Sequence, residues 1–208
     1  MHSVQYRLIE FFIVFIVIPI SFVLQYQLWL KLTIGLLGFI YAIYVLLKVE
    51  NNKFKLRKHI NWKQFWQRTT IKLLVIIVIT TLYVYLVDHK NLFVVIKSKP
   101  LFWLAILFIY SVFSVYPQEL IYRTFFFQRY QSLFRSNTLF VFVNAAMFSL
   151  AHIFFRNILV SIFTFVGGLL FAITFKKTKS TLLVSIEHAL YGCWLFTVGM
   201  GEMLGFPN

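Results

Sequence analysis

Glu119, His152, Glu187 and His188 are ionisable side chains inside stretches that are otherwise almost purely apolar, in a chain with only six acidic residues and five histidines. Arg123 follows Glu119 by four residues, the spacing that brings two side chains together on a helix. An ionisable group at the centre of a helix in a bilayer costs roughly 2.5–3.5 kcal/mol on insertion scales, so such groups face a protein interior or a water-filled cavity and mark functional positions. The chemistry these residue types can perform together is activation of water. A carboxylate in an apolar cavity can act as a general base near neutral pH. Two neutral imidazoles can polarise a carbonyl, shuttle a proton or bind a metal such as zinc. An arginine holds the carboxylate in place or stabilises an oxyanion. Hydrolysis of a peptide bond needs an activated water and a stabilised tetrahedral intermediate, and this set offers both.

Local spacing adds to the pattern. Asn144, Phe148 and His152 recur at i, i+4 and i+8, on one stripe of a helix, and Ser149 and Ser185 each stand three residues before a histidine. Each candidate also has a structural reading. Glu119 with Arg123 can be a buried ion pair, a lone intramembrane histidine can be a hydrogen-bond partner between helices, and Cys193 reads as a packing residue. Glu187 projects about 100° away from His188 around a helix, toward a different neighbour. No H-E-x-x-H pair, no Ser/His/Asp order and no phosphate-cradling glycine loop is present.

The elements that must position these groups follow from composition. Hydrophobic residues make up 61% of the chain and charged residues 12%, against about 25% charged in a soluble domain. The expected fold is all-α, a polytopic transmembrane bundle forming one domain by length. Seven segments approach the ~20 residues a bilayer needs. They run from Leu8 to Leu24 with a kink at Pro19, Leu28 to Leu47, Ile71 to Val87, Leu101 to Tyr116, Thr138 to Phe155, Ile158 to Phe175 and Thr181 to Val198. Pro117 is expected to interrupt the fourth, which continues helically from Gln118 to Phe134. Gly167 and Gly168 are expected to let helices approach closely, bringing the fifth and seventh spans together over the sixth. The first segment lacks a small-residue cleavage site and is read as a span, not a signal peptide. A single cysteine, Cys193, excludes an intrachain disulfide and Cys-only zinc sites.

The net charge of +14 clusters beside apolar spans, which points to the membrane surface and away from nucleic acid. The stretch Lys48–Lys72 carries eight Lys/Arg and one acid, Glu50. If it is cytoplasmic, strict alternation puts fourteen basic residues inside and five outside, with Arg123 set aside as intramembrane. The N-terminus is then cytoplasmic and the C-terminus is not. Ile60, Trp62, Phe65 and Trp66 alternate with Lys63 and Arg68, a pattern that fits either an amphipathic helix on the anionic inner leaflet or a solvated loop. With a rise of about 1.5 Å per residue, Glu119, His152 and His188 lie roughly 24, 21 and 12 Å along their helices from the cytoplasmic ends, depths compatible with a shared cavity.

Three runs carry a family resemblance. Pro117-Gln118-Glu119-Leu120-Ile121-Tyr122-Arg123 resembles the first motif, E-E-x-x-x-R, of the CPBP (CAAX-protease and bacteriocin-processing, or Abi) intramembrane proteases. Phe148-Ser149-Leu150-Ala151-His152 resembles the second, F-x-x-x-H, and Gly167 to His188, ending Ser185-Ile186-Glu187-His188-Ala189, is similar to the third motif region. The resemblance covers about Leu101 to Val198. It divides the chain into N-terminal helices with the basic loop (1–100, loop 48–72), a protease-like core (101–198) and a short tail (199–208). It implies a helical membrane endopeptidase in a bacterial cytoplasmic membrane, acting on a peptide or membrane-protein substrate. Glu119 would be the general base oriented by Arg123, and His152 and His188 would bind the water, the oxyanion or a zinc ion together with Glu119. Two positions depart from the family. Its first glutamate is Gln118 here, and an amide cannot accept a proton from water. The asparagine often found four residues after the last histidine is Gly192. These departures favour an alternative, a non-catalytic relative that binds a hydrophobic peptide or a partner membrane protein. A small transporter fits less well, since no inverted repeat or pair of broken spans is evident.

Overall fold

The computed structural model describes residues 3–52 and 60–205. Among them no strand occurs, and seven helices are long and apolar enough to cross a membrane. These are α1 (Val4–Ser21), α2 (Leu28–Val49), α3 (Trp62–Val87), α4 (Pro100–Leu133), α5 (Asn137–Phe155), α6 (Ile158–Thr178) and α7 (Thr181–Val198). The chain is an all-α, polytopic helical bundle, that of an integral multi-pass membrane protein.

Side-chain caps set where several of these helices begin. Asn61 Oδ1 accepts from the Gln64 N–H, Ser136 Oγ from Leu139, Asn157 Oδ1 from Leu159 and Ser180 Oγ from Leu183. Each satisfies a donor that the first turn leaves without an intrahelical partner. The Asn61 cap moves the start of α3 well ahead of the expected Ile71. Residues 62–70 are neither a surface helix nor a loop but the first turns of a 26-residue span. Phe65 and Thr69 are buried there while Trp62 and Trp66 stay exposed beside Lys63, as interfacial anchors do. Residues 53–59 of the basic stretch lie outside the described residues.

Pro117 does not interrupt α4. The 34-residue span runs through it, with wide, π-type turns at Tyr110–Val115 and Leu120–Phe125 on either side. Pro19 is likewise preceded by a wide turn, Ile13–Val17. A proline ring crowds the carbonyl four residues back and removes one N–H, and a wide turn absorbs both defects without ending the helix.

By contacts the chain falls into two compact units, Met1–Leu56 with Gln118–Lys179, and Arg57–Pro117 with Ser180–Asn208. The first unit is tied at both ends. At one end Arg129 Nε donates to Glu10 Oε2 and its Nη1 to Glu50 Oε1, each at 2.9 Å, and Arg7 Nη1 donates to Ser132 Oγ at 2.7 Å. At the other end Arg156 Nη2 donates to the Val23 carbonyl at 2.8 Å and Lys31 Nζ to the Phe22 carbonyl at 2.6 Å. The start of α1 and the ends of α2 and α4 therefore share one end of the unit. Between the two ends lies an aromatic core. Phe15 meets Phe126 at 5.0 Å, Tyr122 at 5.4 Å and Tyr130 at 5.7 Å, all edge to face. Lipid tails are as apolar as these rings, so the contacts stabilise by packing geometry, about 0.5–1.5 kcal/mol per pair, not by exclusion of water. At Gly168 of α6 a Cβ would stand 3.0 Å from the Ala145 Cα of α5, so glycine permits the close α5–α6 approach. Gly167 faces Phe171 of its own helix.

In the second unit α3 and α7 run parallel. Lys72 meets Glu187 at 2.6 Å, Trp194 Nε1 donates to Thr80 Oγ1 at 2.9 Å, and the Phe93 N–H donates to the Val198 carbonyl at 3.4 Å. The first half of α4 runs antiparallel to α7, with Trp103 Nε1 donating to Thr197 Oγ1 at 3.0 Å and Ser111 Oγ 3.5 Å from Cys193 Sγ.

Candidate active site

Glu119 and Arg123 are both fully buried in the first unit, with Arg123 Nε 3.2 Å from Glu119 Oε2. The wide turn Leu120–Phe125 carries the arginine. Its guanidinium is held from several directions. Nη1 donates to Asn144 Oδ1 at 2.8 Å and to the Tyr122 carbonyl at 3.2 Å, and the Asn144 amide donates to that same carbonyl at 2.6 Å. The guanidinium carbon lies 4.8 Å from the centre of the Phe148 ring and 5.8 Å from that of Phe171. A planar, weakly hydrated cation suits this setting, where a carboxylate, an amide and two ring faces replace water.

His152 joins the same cluster through Phe148. The two rings meet edge to face at 4.8 Å, and His152 Nδ1 lies 2.7 Å from the Phe148 carbonyl oxygen. A carbonyl only accepts, so Nδ1 carries the proton. In the neutral ring Nε2 is then the basic nitrogen. The regular helix ends at Leu150, and His152 occupies the turn before the short 3-10 segment Ile153–Phe155. The Asn144, Phe148, His152 stripe expected from spacing is kept although its last member has left the helix. Ser149 does not accompany the histidine. Its hydroxyl donates to the Ser161 carbonyl of α6 at 2.8 Å.

His188 belongs to the second unit. It is buried on α7, and its ring meets that of Tyr110 edge to face at 6.0 Å. Glu187 turns to another neighbour, α3. Its Oε1 accepts from Lys72 Nζ at 2.6 Å and from the Tyr191 hydroxyl at 2.9 Å. Cys193 packs by Ser111 and the Leu107 carbonyl. The structure thus links Glu119, Arg123 and His152 in one cluster through Phe148 and pairs His188 with Tyr110 in the other unit.

The partners of Lys72, Tyr110 and Phe171 are not visible in local spacing, whereas Tyr191, four residues after Glu187, is at the i+4 distance that would have found it. Lys72 counts as a loop charge in the sequence but is ten residues into α3. Among the described residues no three His, Cys, Asp or Glu side chains gather closely enough to hold a metal ion. Of the candidate ligands, Glu119 and His152 lie in the first unit and His188 in the second.

Residues 100–194 match the family model described as type II CAAX prenyl endopeptidase Rce1-like. Glu119, Arg123, Asn144, His152, Glu187, His188 and Gly192 all fall within that stretch. No curated protein and no solved structure matches the chain.

Proposed function

We propose that this chain, whose residues 100–194 match the type II CAAX prenyl endopeptidase Rce1-like family model, is an intramembrane endopeptidase that hydrolyses a peptide bond with a glutamate-activated water. The observation that carries the reading is the buried Glu119–Arg123 pair, coupled through Phe148 to His152. A carboxylate at membrane depth with its own arginine, an asparagine orienting that arginine and a histidine of defined tautomer make a set suited to proton transfer.

The steps follow from the groups. Glu119 takes a proton from water as the water oxygen bonds to the substrate carbonyl carbon, and the carbonyl electron pair moves onto oxygen. Arg123 fixes the carboxylate and balances its charge. His152, with Nδ1–H committed to the Phe148 carbonyl, presents Nε2 as an acceptor for the water. His188 holds the carbonyl oxygen. The intermediate collapses with cleavage of the C–N bond, and Glu119 returns its proton to the departing amine. No step is routed through a metal. The substrate is a peptide or membrane protein presented near the cytoplasmic face of a bacterial inner membrane, with the N-terminus and basic loop cytoplasmic beside anionic lipid. Arg129 and Lys72 are both held in ion pairs. Removing them leaves twelve inside charges against five outside, still the same orientation.

Gln118 favours a second reading, a relative that binds a hydrophobic peptide or partner protein without cutting it. A proteolysis assay on the purified protein in lipid nanodiscs, against peptide libraries, separates the two. Turnover that disappears in Glu119→Gln supports the endopeptidase. Saturable peptide binding with no product supports the second reading.

A further inference from the structure

We propose that Ser185 binds the main chain of the substrate next to the bond that is cut, an inference that rests on the endopeptidase reading and names a substrate-binding group for that site. Ser185 is 7% exposed, and among the described residues its Oγ is the only buried serine or threonine hydroxyl with no bonding partner in the protein. Hydroxyls elsewhere in the bundle behave differently. Those of Thr33, Thr80, Ser111, Thr164, Thr178 and Thr197 each donate to the carbonyl four residues back in their own helix. Ser149, the other serine three residues before a histidine, donates to the Ser161 carbonyl. Bonding back to the helix is the ordinary way to satisfy a hydroxyl inside an apolar bundle. Ser185 lies within the regular helix α7, four residues after Thr181, and does not bond back.

Helix geometry says which side of α7 carries this hydroxyl. At about 100° per residue, Ser185 stands about 60° around the helix from His188 and about 160° from Glu187. Glu187 turns to Lys72 of α3, so Ser185 shares the His188 side. Along the axis the three residues from Ser185 to His188 span about 4.5 Å. An extended peptide advances about 3.3 Å per residue. A substrate whose scissile carbonyl oxygen is held at His188 therefore brings its neighbouring peptide unit to Ser185. That unit has left water and carries an N–H and a C=O that need new partners. A hydroxyl both donates and accepts, so it serves either group. Packing gives no reason for the oxygen, because alanine fits the same position without burying a polar atom.

The test uses the full-length protein in nanodiscs and a short fluorescein-labelled peptide of alanine, leucine and phenylalanine. Binding is read by anisotropy against empty nanodiscs. Ser185→Ala should weaken binding about five- to tenfold, the loss of one hydrogen bond. Its thermal midpoint should equal or exceed that of wild type, because the oxygen it removes bonds nothing in the fold. A serine with a purely structural role would lower the midpoint instead. Replacing each peptide bond of the probe in turn by an (E)-alkene should find one position where wild type loses the same factor and Ser185→Ala loses nothing further. Where the peptide is cut, Ser185→Ala should raise KM with kcat little changed, and the coupled position should adjoin the cut bond. If wild type binds the peptide through Ser185 but cuts nothing, the hydrolysis reading falls and the assignment of Ser185 stands. Wild-type affinity in Ser185→Ala, a lowered midpoint in that variant, no alkene position coupled to Ser185, or no binding by wild type overturns the assignment.

Discussion

Lys72 and Glu187 meet at 2.6 Å although 115 residues separate them, and the carboxylate they share with Tyr191 is fully buried. Removing the cation strands a charge away from water, a loss of about 3–5 kcal/mol for a buried pair. Lys72 keeps 27% of its side chain exposed, so the low end applies. Lys72→Met should lower stability by about 3 kcal/mol, and Lys72→Met with Glu187→Leu should recover most of it. Thermal unfolding in detergent micelles reads both. Activity per folded molecule should survive the double substitution. Its disappearance would make Glu187 a catalytic group.

Asn144 binds the Arg123 guanidinium and the Tyr122 carbonyl at once. Asn144→Ala should cost about 1.5–3 kcal/mol, as hydrogen bonds to charged groups do, and lower the rate by loosening the arginine that holds Glu119. Asn144→Asp places a second carboxylate beside Arg123 and should draw it from Glu119, slowing cleavage with less loss of stability. Unfolding curves and rates measured on the same samples check the pair. Equal rates in Asn144→Asp and wild type would remove Asn144 from the site.

Only a carboxylate can take the proton from water, and general base catalysis is worth about 10²–10⁴ in rate. Glu119→Gln should therefore abolish cleavage, while Gln118→Ala keeps part of it. A Glu119→Gln protein at wild-type rate refutes the base. Groups that act on one reaction are strongly non-additive. Glu119→Gln with His188→Ala should accordingly be no slower than Glu119→Gln alone, and two independent losses multiplying would contradict a joint role.

A reaction that runs on Glu119 and water does not depend on a chelatable ion. Incubation with 1,10-phenanthroline should leave the rate unchanged. Loss of activity restored by added zinc would show that Glu119, His152 and His188 do assemble around a metal.

The alternation of spans is tested at two exposed lysines, Lys90 and Lys176. With Cys193 replaced by alanine, cysteines introduced at these positions should react with an impermeant maleimide from opposite sides of the membrane. Reaction from the same side would break the seven-span topology.

The number and order of spans were legible because a bilayer imposes a length and an apolar composition on every crossing helix. Their ends were less so. The stretch around Lys63 and Arg68 fits either a helix on the membrane surface or a solvated loop, yet α3 already runs through it, because a helix can continue into the interface once Asn61 caps it. Pro117 reads as a break because the pattern of residue types does not reveal that neighbouring turns can widen. At the site, i+4 spacing anticipated Glu119 with Arg123 and the Asn144, Phe148, His152 stripe. It could not anticipate Lys72 with Glu187 or Tyr110 against His188. Those partners lie on different helices, and nothing in the local pattern of one helix names the residue facing it on another.

Arg129 gives the assembly a direction in time. It grips Glu10 and Glu50, which precede it by 119 and 79 residues, so both acids leave the ribosome long before their counter-charge exists. Until Arg129 arrives, α1 and α2 must keep those carboxylates at the water-exposed boundary, where a bare charge is tolerated. The arginine then draws the helix ends together and lets them sink to their final depth. Translation of the fourth span is thus the event that completes the first two, and a nascent chain halted short of residue 129 carries two acids whose counter-charge has not yet been made.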